Sequence, residues 1–327
     1  MTASLRAPFP WFGGKRAVAA DIWRAFGDVG GYVEPFAGSL AALLCRPGVR
    51  FGVETVNDAD GLVVNTWRAI QADPDGVAAA ADWPVSEADL HARHLWLVGR
   101  RDSMTERLCA DPEWYDAKAA GWWVWGASAW IGSGWCSGDG PWQVVDGVLA
   151  KVNAGRGINR QLPHLGNAGM GINRQLPHLG ASRGAYIRET MRALAVRLRD
   201  VRIACGDWSR ICGPSVLRAG GGVTAILLDP PYADGCDVYS AGDGKSLWPD
   251  VCAYAVETGA DVGNRVVLCG YDGTFDPPAG WGTVEWKARG GYGSRGDGEG
   301  RENSARERLW LSPHCVMPST PTQARLL

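Results

Sequence analysis

Residues 223–235, VTAILLDPPYADG, run for six positions with no charge and then turn through an acid, two prolines and a tyrosine. A Pro-Pro step holds the chain extended and leaves its carbonyls without competing local donors. Asp229 and the carbonyl of Pro230 are then free to accept hydrogen bonds from one amino group, with Pro231 holding the step and Tyr232 supplying a flat surface beside it. An acceptor pair with an aromatic face is a clamp for the exocyclic amine of a planar base. The same four letters also end strands in ordinary proline turns, so the reading depends on what else the chain carries.

Two further segments bear on it. YVEPFAGSLA, residues 32–41, reads as a strand, a tight glycine turn and a helix start, where Gly38 lets a ligand approach the backbone closely and Ser39 is the expected helix cap. PFPWFGGK, residues 8–15, places Trp11, Gly13, Gly14 and Lys15 ahead of the first helix, where free amides and an ammonium suit a carboxylate. Either segment alone also fits a loop with packing glycines.

These segments need a scaffold, and the flanking sequence predicts one. Residues 14–26 carry Val18, Ile22 and Phe26 on one helical face. GYVEP (31–35) predicts a strand, SLAALLC (39–45) a helix, VRFGVE (49–54) a strand, and DGLVVNTWRAI (60–70) a helix. Strand and helix in alternation imply a doubly wound parallel sheet, the Rossmann-like α/β class. Ligands bind such sheets beyond the carboxyl ends of the strands, where Asp229 emerges from AILL. The pattern resumes with a helix over 184–199, strands in VRIAC and RVVLCG, a helix over 247–256, and a closing hairpin from GTVEW and ERLWLS.

Between these halves the rhythm is lost. Residues 121–142 hold six tryptophans among glycines, best read as a helix packed by large rings. GINRQLPHLG occurs at 157–166 and again, letter for letter, at 171–180. Two copies cannot stack a repeat core, so they read as a duplicated surface loop. The simplest parse is one α/β domain interrupted by a largely separate insertion.

Composition narrows the class. The 327 residues are 46% apolar, enough to bury a full core. No signal-peptide pattern opens the chain and no apolar run approaches a bilayer span, so the expectation is a cytoplasmic protein with no membrane partner. Nine cysteines without a C-x-x-C pair point to thiols, not to disulfides or a zinc site. The net charge of −2 argues against a uniformly basic nucleic-acid binder, yet residues 151–202 hold ten basic residues against two acids. That local excess suits a polyanion or a solvated surface.

PFPWFGGK, EPFAG and DPPY in this order resemble the Dam-like, D12-type DNA adenine N6-methyltransferases. The likeness covers residues 8–70 and 185–315, with a variable target-recognition region between. It implies a class I S-adenosylmethionine-dependent methyltransferase with its core in residues 1–72 and 185–316, an inserted recognition region over 73–184, and a tail over 317–327. By the same resemblance, Trp11, Gly13, Gly14 and Lys15 hold the methionine part of the cofactor. Glu34, Pro35, Phe36, Ala37 and Gly38 floor its pocket, with Ser39 where many relatives carry glycine. The acid on the ribose hydroxyls matches Asp58, with Glu54 in competition. Asp207 and Trp208 of CGDW match the acid-aromatic pair at the cofactor adenine. Asp229, Pro230, Pro231 and Tyr232 form the catalytic motif, and no metal is expected.

The implied partner is double-stranded DNA, and the implied reaction methylates N6 of an adenine flipped out of the duplex, with Tyr232 replacing part of its lost stacking. Three alternatives stay open. A cytosine N4-methyltransferase would more often begin the last motif with Ser, and a protein glutamine methyltransferase with Asn. The third is a non-catalytic DNA-binding protein on the same fold. Cys269, Cys315 and His314 read as structural groups.

Overall fold

The computed structural model describes residues 5–11, 13–48, 52–130, 135–136, 142–145, 148–151, 183–231, 244–286 and 306–317. Tyr232 and both copies of GINRQLPHLG lie outside the described residues.

The first predicted helix is broken in two. A 3-10 turn over Lys15–Ala17 stops at Val18, and α1 (Ala19–Phe26) follows, burying Ile22 and Phe26 as the spacing requires. Then come β1 (Gly31–Glu34) and α2 (Ala41–Leu44). Ser39 does not cap α2: the cap position is Leu40, in a left-handed conformation with φ 52° and no side-chain bond. Ser39 instead lies buried against the glycines of the first motif, where a Cβ on Gly14 would sit 3.4 Å from its Oγ.

The second strand is displaced from its predicted place. β2 is Val53–Asp58, starting where the expected strand was to end. Its polar letters hid it: Glu54 and Asn57 are buried, and the Glu54 carboxylate and the Asn57 amide nitrogen find partners there while the Asn57 Oδ1 has none among the described residues.

Next in the chain are α3 (Gly61–Ala72), α4 (Pro74–Ala81), α5 (Glu87–Val98), α6 (Arg101–Ala110) and α7 (Ala117–Ala129). A small antiparallel pair follows, β3 (Trp142–Val145) with β4 (Val148–Lys151). The second half supplies α8 (Arg183–Leu198), β5 (Val201–Cys205), α9 (Pro214–Leu217), β6 (Thr224–Leu228), α10 (Gly244–Gly259), β7 (Asn264–Tyr271), β8 (Gly282–Glu285) and β9 (Glu307–Leu311).

Seven strands form one mixed sheet in the order β5-β2-β1-β6-β7-β9-β8. The first five are parallel, while β9 runs antiparallel to both neighbours. The expected α/β class and the closing β8–β9 hairpin are thus present, with β9 inserted between β7 and β8. Successive side chains of a strand point to opposite faces. Leu227 and Val267 accordingly enter one core with α1, α3 and α8, while Ile226, Leu228, Val266 and Leu268 enter a second core under α10.

The helical part of region 73–184 does not stand apart. Val77, Leu90, Leu97 and Trp123 share a single core with Ile22, Leu43 and Trp67, and α7 packs on both α3 and α4. Trp123 and Trp125 of α7 are buried, as the helix-packing reading of that segment expected. The arginines of α8 are also distributed: Arg188 and Arg192 meet Asp75 at the surface, and Arg197 is buried. Among the described residues, no helix is long and apolar enough to cross a membrane.

Candidate functional site

In chain order the strands spread outward through β1, β2 and β5, then return to the other side of β1 with β6 and β7. The strand order therefore reverses between β1 and β6, which is where open α/β sheets form a crevice beyond their carboxyl ends. EPFAG leaves β1 and DPPY leaves β6 at that point. Register aligns them, with Val33 opposite Ile226, Glu34 opposite Val56 and Asp58 opposite Cys205. Asp229, one residue past β6, and Asp207, two past β5, lie at the same edge.

PFPWFGGK closes on this edge from outside the sheet. Lys15 is 3% exposed, and its Nζ lies 2.8 Å from Asp229 Oδ1 while also donating to the Gly13 carbonyl at 2.8 Å. The ammonium also lies 5.9 Å from the Trp286 ring centroid. A buried ammonium requires a carboxylate or several acceptors, and here it has both. The first and last motifs are thereby joined by a single ion pair.

Gly38 is gripped from three sides. Its N–H donates to Asp58 Oδ2 at 2.9 Å, and its carbonyl accepts from Trp67 Nε1 at 2.8 Å. A Cβ on it would come within 2.5 Å of Trp11 Nε1, and its φ of 44° is itself left-handed, so only glycine fits this turn. Trp11 is oriented by edge contact with Phe9 at 6.0 Å, and Phe9 packs on Trp67 and Trp123. The two glycine motifs meet directly through the Trp11 indole.

Asp58 does more than face the crevice. Its other oxygen accepts the Asp60 N–H at 2.9 Å, so one carboxylate ties the Gly38 turn to the entry of α3. Burial pushes its pKa up to about 6 although part of the residue reaches solvent, and the N–H donors only partly offset that. Glu54 is elsewhere. It sits near the start of β2, about 13 Å from Asp58 at strand rise, and takes a two-point bond from Arg197 at 2.7 and 2.9 Å plus one from Arg46 at 3.0 Å. Its carboxylate is committed to joining α8 to the sheet, away from the carboxyl edge.

Glu34 ends β1 almost fully buried, accepting from the Tyr32 hydroxyl at 2.9 Å. Burial above all raises its pKa to about 8, with the Tyr32 bond opposing the rise and the Asp229 charge adding to it, which favours the protonated acid at neutral pH.

At the β5 side, Gly206 takes φ 123° and its N–H donates to the Asp58 carbonyl at 3.0 Å. Asp207 is exposed and opens a 3-10 turn by accepting the Ser209 N–H on Oδ1 at 2.9 Å. Trp208 stacks toward Phe36 with centroids 6.1 Å apart and planes 25° from parallel. Asn57 links the two loops, donating to the carbonyls of Pro35 and Gly206 at 3.2 and 2.9 Å.

Compared with known families and curated proteins, the chain has no match: no family model fits it and no curated protein aligns with it.

The edge therefore collects Trp11, Gly13, Gly14, Lys15, residues 34–38, Asp58, Asp207, Trp208, Asp229, Pro230 and Pro231. Trp67 and Asn57 escaped the motif reading, although each left a signal. A tryptophan on a buried helix face needs an acceptor for its N–H, and an asparagine inside a strand needs partners for its amide. Cys269 and Cys315 are core thiols, and His314 bonds the Ala260 carbonyl at 3.2 Å.

Proposed function

We propose that this protein is an S-adenosylmethionine-dependent DNA methyltransferase acting on the N6 amine of adenine. The observation that carries the reading is the meeting of three motifs, distant in sequence, at the point where the strand order reverses, joined by the Lys15–Asp229 pair. The polar groups there suit the cofactor by their chemistry. Lys15 offers a cation for a carboxylate, Asp58 an anion beside a glycine turn for ribose hydroxyls, and Asp207 a carboxylate next to the flat Trp208 for an adenine amine.

When bound, the cofactor supplies an electrophilic methyl on a sulfonium. The chain's task is the nucleophile, because the N6 lone pair of adenine is delocalised into its ring. Asp229 and the Pro230 carbonyl accept hydrogen bonds from the two N6–H groups, which favours a pyramidal nitrogen and concentrates the lone pair. Preorganised acceptors of this type contribute on the order of 3 kcal/mol each. Lys15 fixes the Asp229 carboxylate before substrate arrives, so little reorganisation is left for the reacting complex. Glu34, neutral beneath it, adds no second negative charge to the acceptor.

The test is expression in a methylation-free host with the modified bases mapped by single-molecule sequencing. N6-methyladenine at a defined site is expected, and Asp229→Ala should lower the transfer rate about a hundredfold or more while cofactor affinity stays within a few-fold. N4-methylcytosine would move the reading to the cytosine enzymes. Cofactor binding without any DNA methylation would overturn it.

A further inference from the structure

Two strands from the reversal point, the edge strand β5 and helices α3 and α6 line an open cavity of about 370 Å³. Its lining includes Arg68, Arg202 and Arg210, with Gln71, Cys109 and Cys205, and no carboxylate among the described residues. Three guanidinium groups lining one space give it a positive potential that favours an anion there.

The bonding of each arginine sharpens the point. Arg68 is 8% exposed, and its Nε and Nη1 donate only to carbonyls, of Ile203, Leu108 and Asp111, at 3.0 to 3.2 Å. Its Nη2 makes no bond among the described residues. Burial holds its pKa below the ordinary value, and the charge of Arg210 lowers it too. Arg210 is exposed and gives one bond, to the Cys205 carbonyl at 2.8 Å. Arg202 is exposed and has no partner among the described residues. Asp111 lies outside the lining and accepts the Glu113 N–H at 2.9 Å, although its charge partly offsets the lowering at Arg68.

We propose that this cavity is a second ligand site, behind the turn that carries Asp207 and Trp208, that binds the oxygens of a phosphate group. Planar guanidinium forks match phosphate geometry, and a buried arginine held on carbonyls is a preorganised member of such a site. The phosphate belongs either to a small phosphorylated molecule or to a nucleic-acid backbone. Cys109, exposed in the cavity wall, reports occupancy directly.

The experiment follows alkylation of Cys109 by iodoacetamide, using peptide mass spectrometry of the full chain and no methyl-transfer step. Its outcome is thus independent of the proposed activity. Pyrophosphate is expected to slow modification of Cys109 while leaving Cys45 and Cys252 unchanged. The protection constant should weaken at least tenfold in the double variant Arg202→Gln, Arg210→Gln, whose exposed positions leave the core intact. If the phosphate is a nucleic-acid backbone, a short duplex will also protect Cys109, and the double variant will lower the salt slope of duplex binding by about two. If it belongs to a small molecule, pyrophosphate will protect and the duplex will not. Absence of protection by either probe, or protection that survives in the double variant, would overturn the proposal.

Discussion

Lys15 Nζ lies 2.8 Å from Asp229 Oδ1, so the first motif in the chain neutralises the acid of the last. The lysine side chain is 4% exposed and the aspartate side chain 20%. The pair is an internal brace opening on one side to the crevice.

Lys15→Met should lower stability by about 1–3 kcal/mol, since Asp229 loses a charge-assisted partner but keeps some solvent. A double-mutant cycle with Asp229→Asn, read by S-adenosylmethionine calorimetry, separates two roles for the lysine. If Lys15 only braces Asp229, the two losses overlap. If it also holds the cofactor carboxylate, Lys15→Met will cost at least tenfold in affinity on either Asp229 background.

Glu54 and Asp58, four residues apart on β2, should respond differently. Glu54→Gln leaves Arg197 and Arg46 buried without an anion, which predicts a loss of about 3–5 kcal/mol with cofactor affinity unchanged once the protein is folded. Asp58→Ala should weaken the cofactor about ten- to hundredfold. Denaturant melts and calorimetry on both variants check this, and a selective cofactor loss in the Glu54 variant would reverse the assignment.

Gly38→Ala puts a methyl within 2.5 Å of the Trp11 indole nitrogen at a backbone angle that alanine avoids. The expected cost is about 1–3 kcal/mol, with displacement of Trp11 visible as a change in tryptophan fluorescence. A variant with wild-type stability and emission would show that the turn is not held as described.

Glu34 binds a proton in the folded protein up to a pH of about 8, whereas the unfolded chain releases it near the ordinary carboxylate value. Asp58 shifts the same way, to about 6. Folding therefore takes up protons, and stability should fall as pH rises through the interval from about 5 to about 8. Glu34→Gln, which keeps an acceptor for the Tyr32 hydroxyl, should flatten that fall. Thermal midpoints across the range for both proteins test it, and a midpoint rising with pH would contradict the buried neutral acid.

The motifs, the parallel strand-helix alternation and the run AILL were legible along the chain because each depends on local properties. Glycine conformational freedom, proline rigidity and apolar periodicity act within a few residues. The sequence by itself thus determined the α/β class, the closing hairpin and the motifs at strand ends.

Four matters belong to the tertiary structure. β2 is built from VETVND because Arg197 pairs with Glu54 and the carbonyls of Pro35 and Gly206 take the Asn57 amide N–H groups. Helices α4–α7 join the main core because α3 and α8 offer them an apolar face, which no local pattern records. Glu54 is committed to an ion pair with Arg197 of α8, which leaves Asp58 as the acid of β2 at the carboxyl edge. Lys15 meets Asp229 because the segment ahead of α1 closes on the carboxyl edge where β6 ends. Each is a long-range pairing of buried polar or apolar groups, and its free energy exists only once the chain has closed on itself.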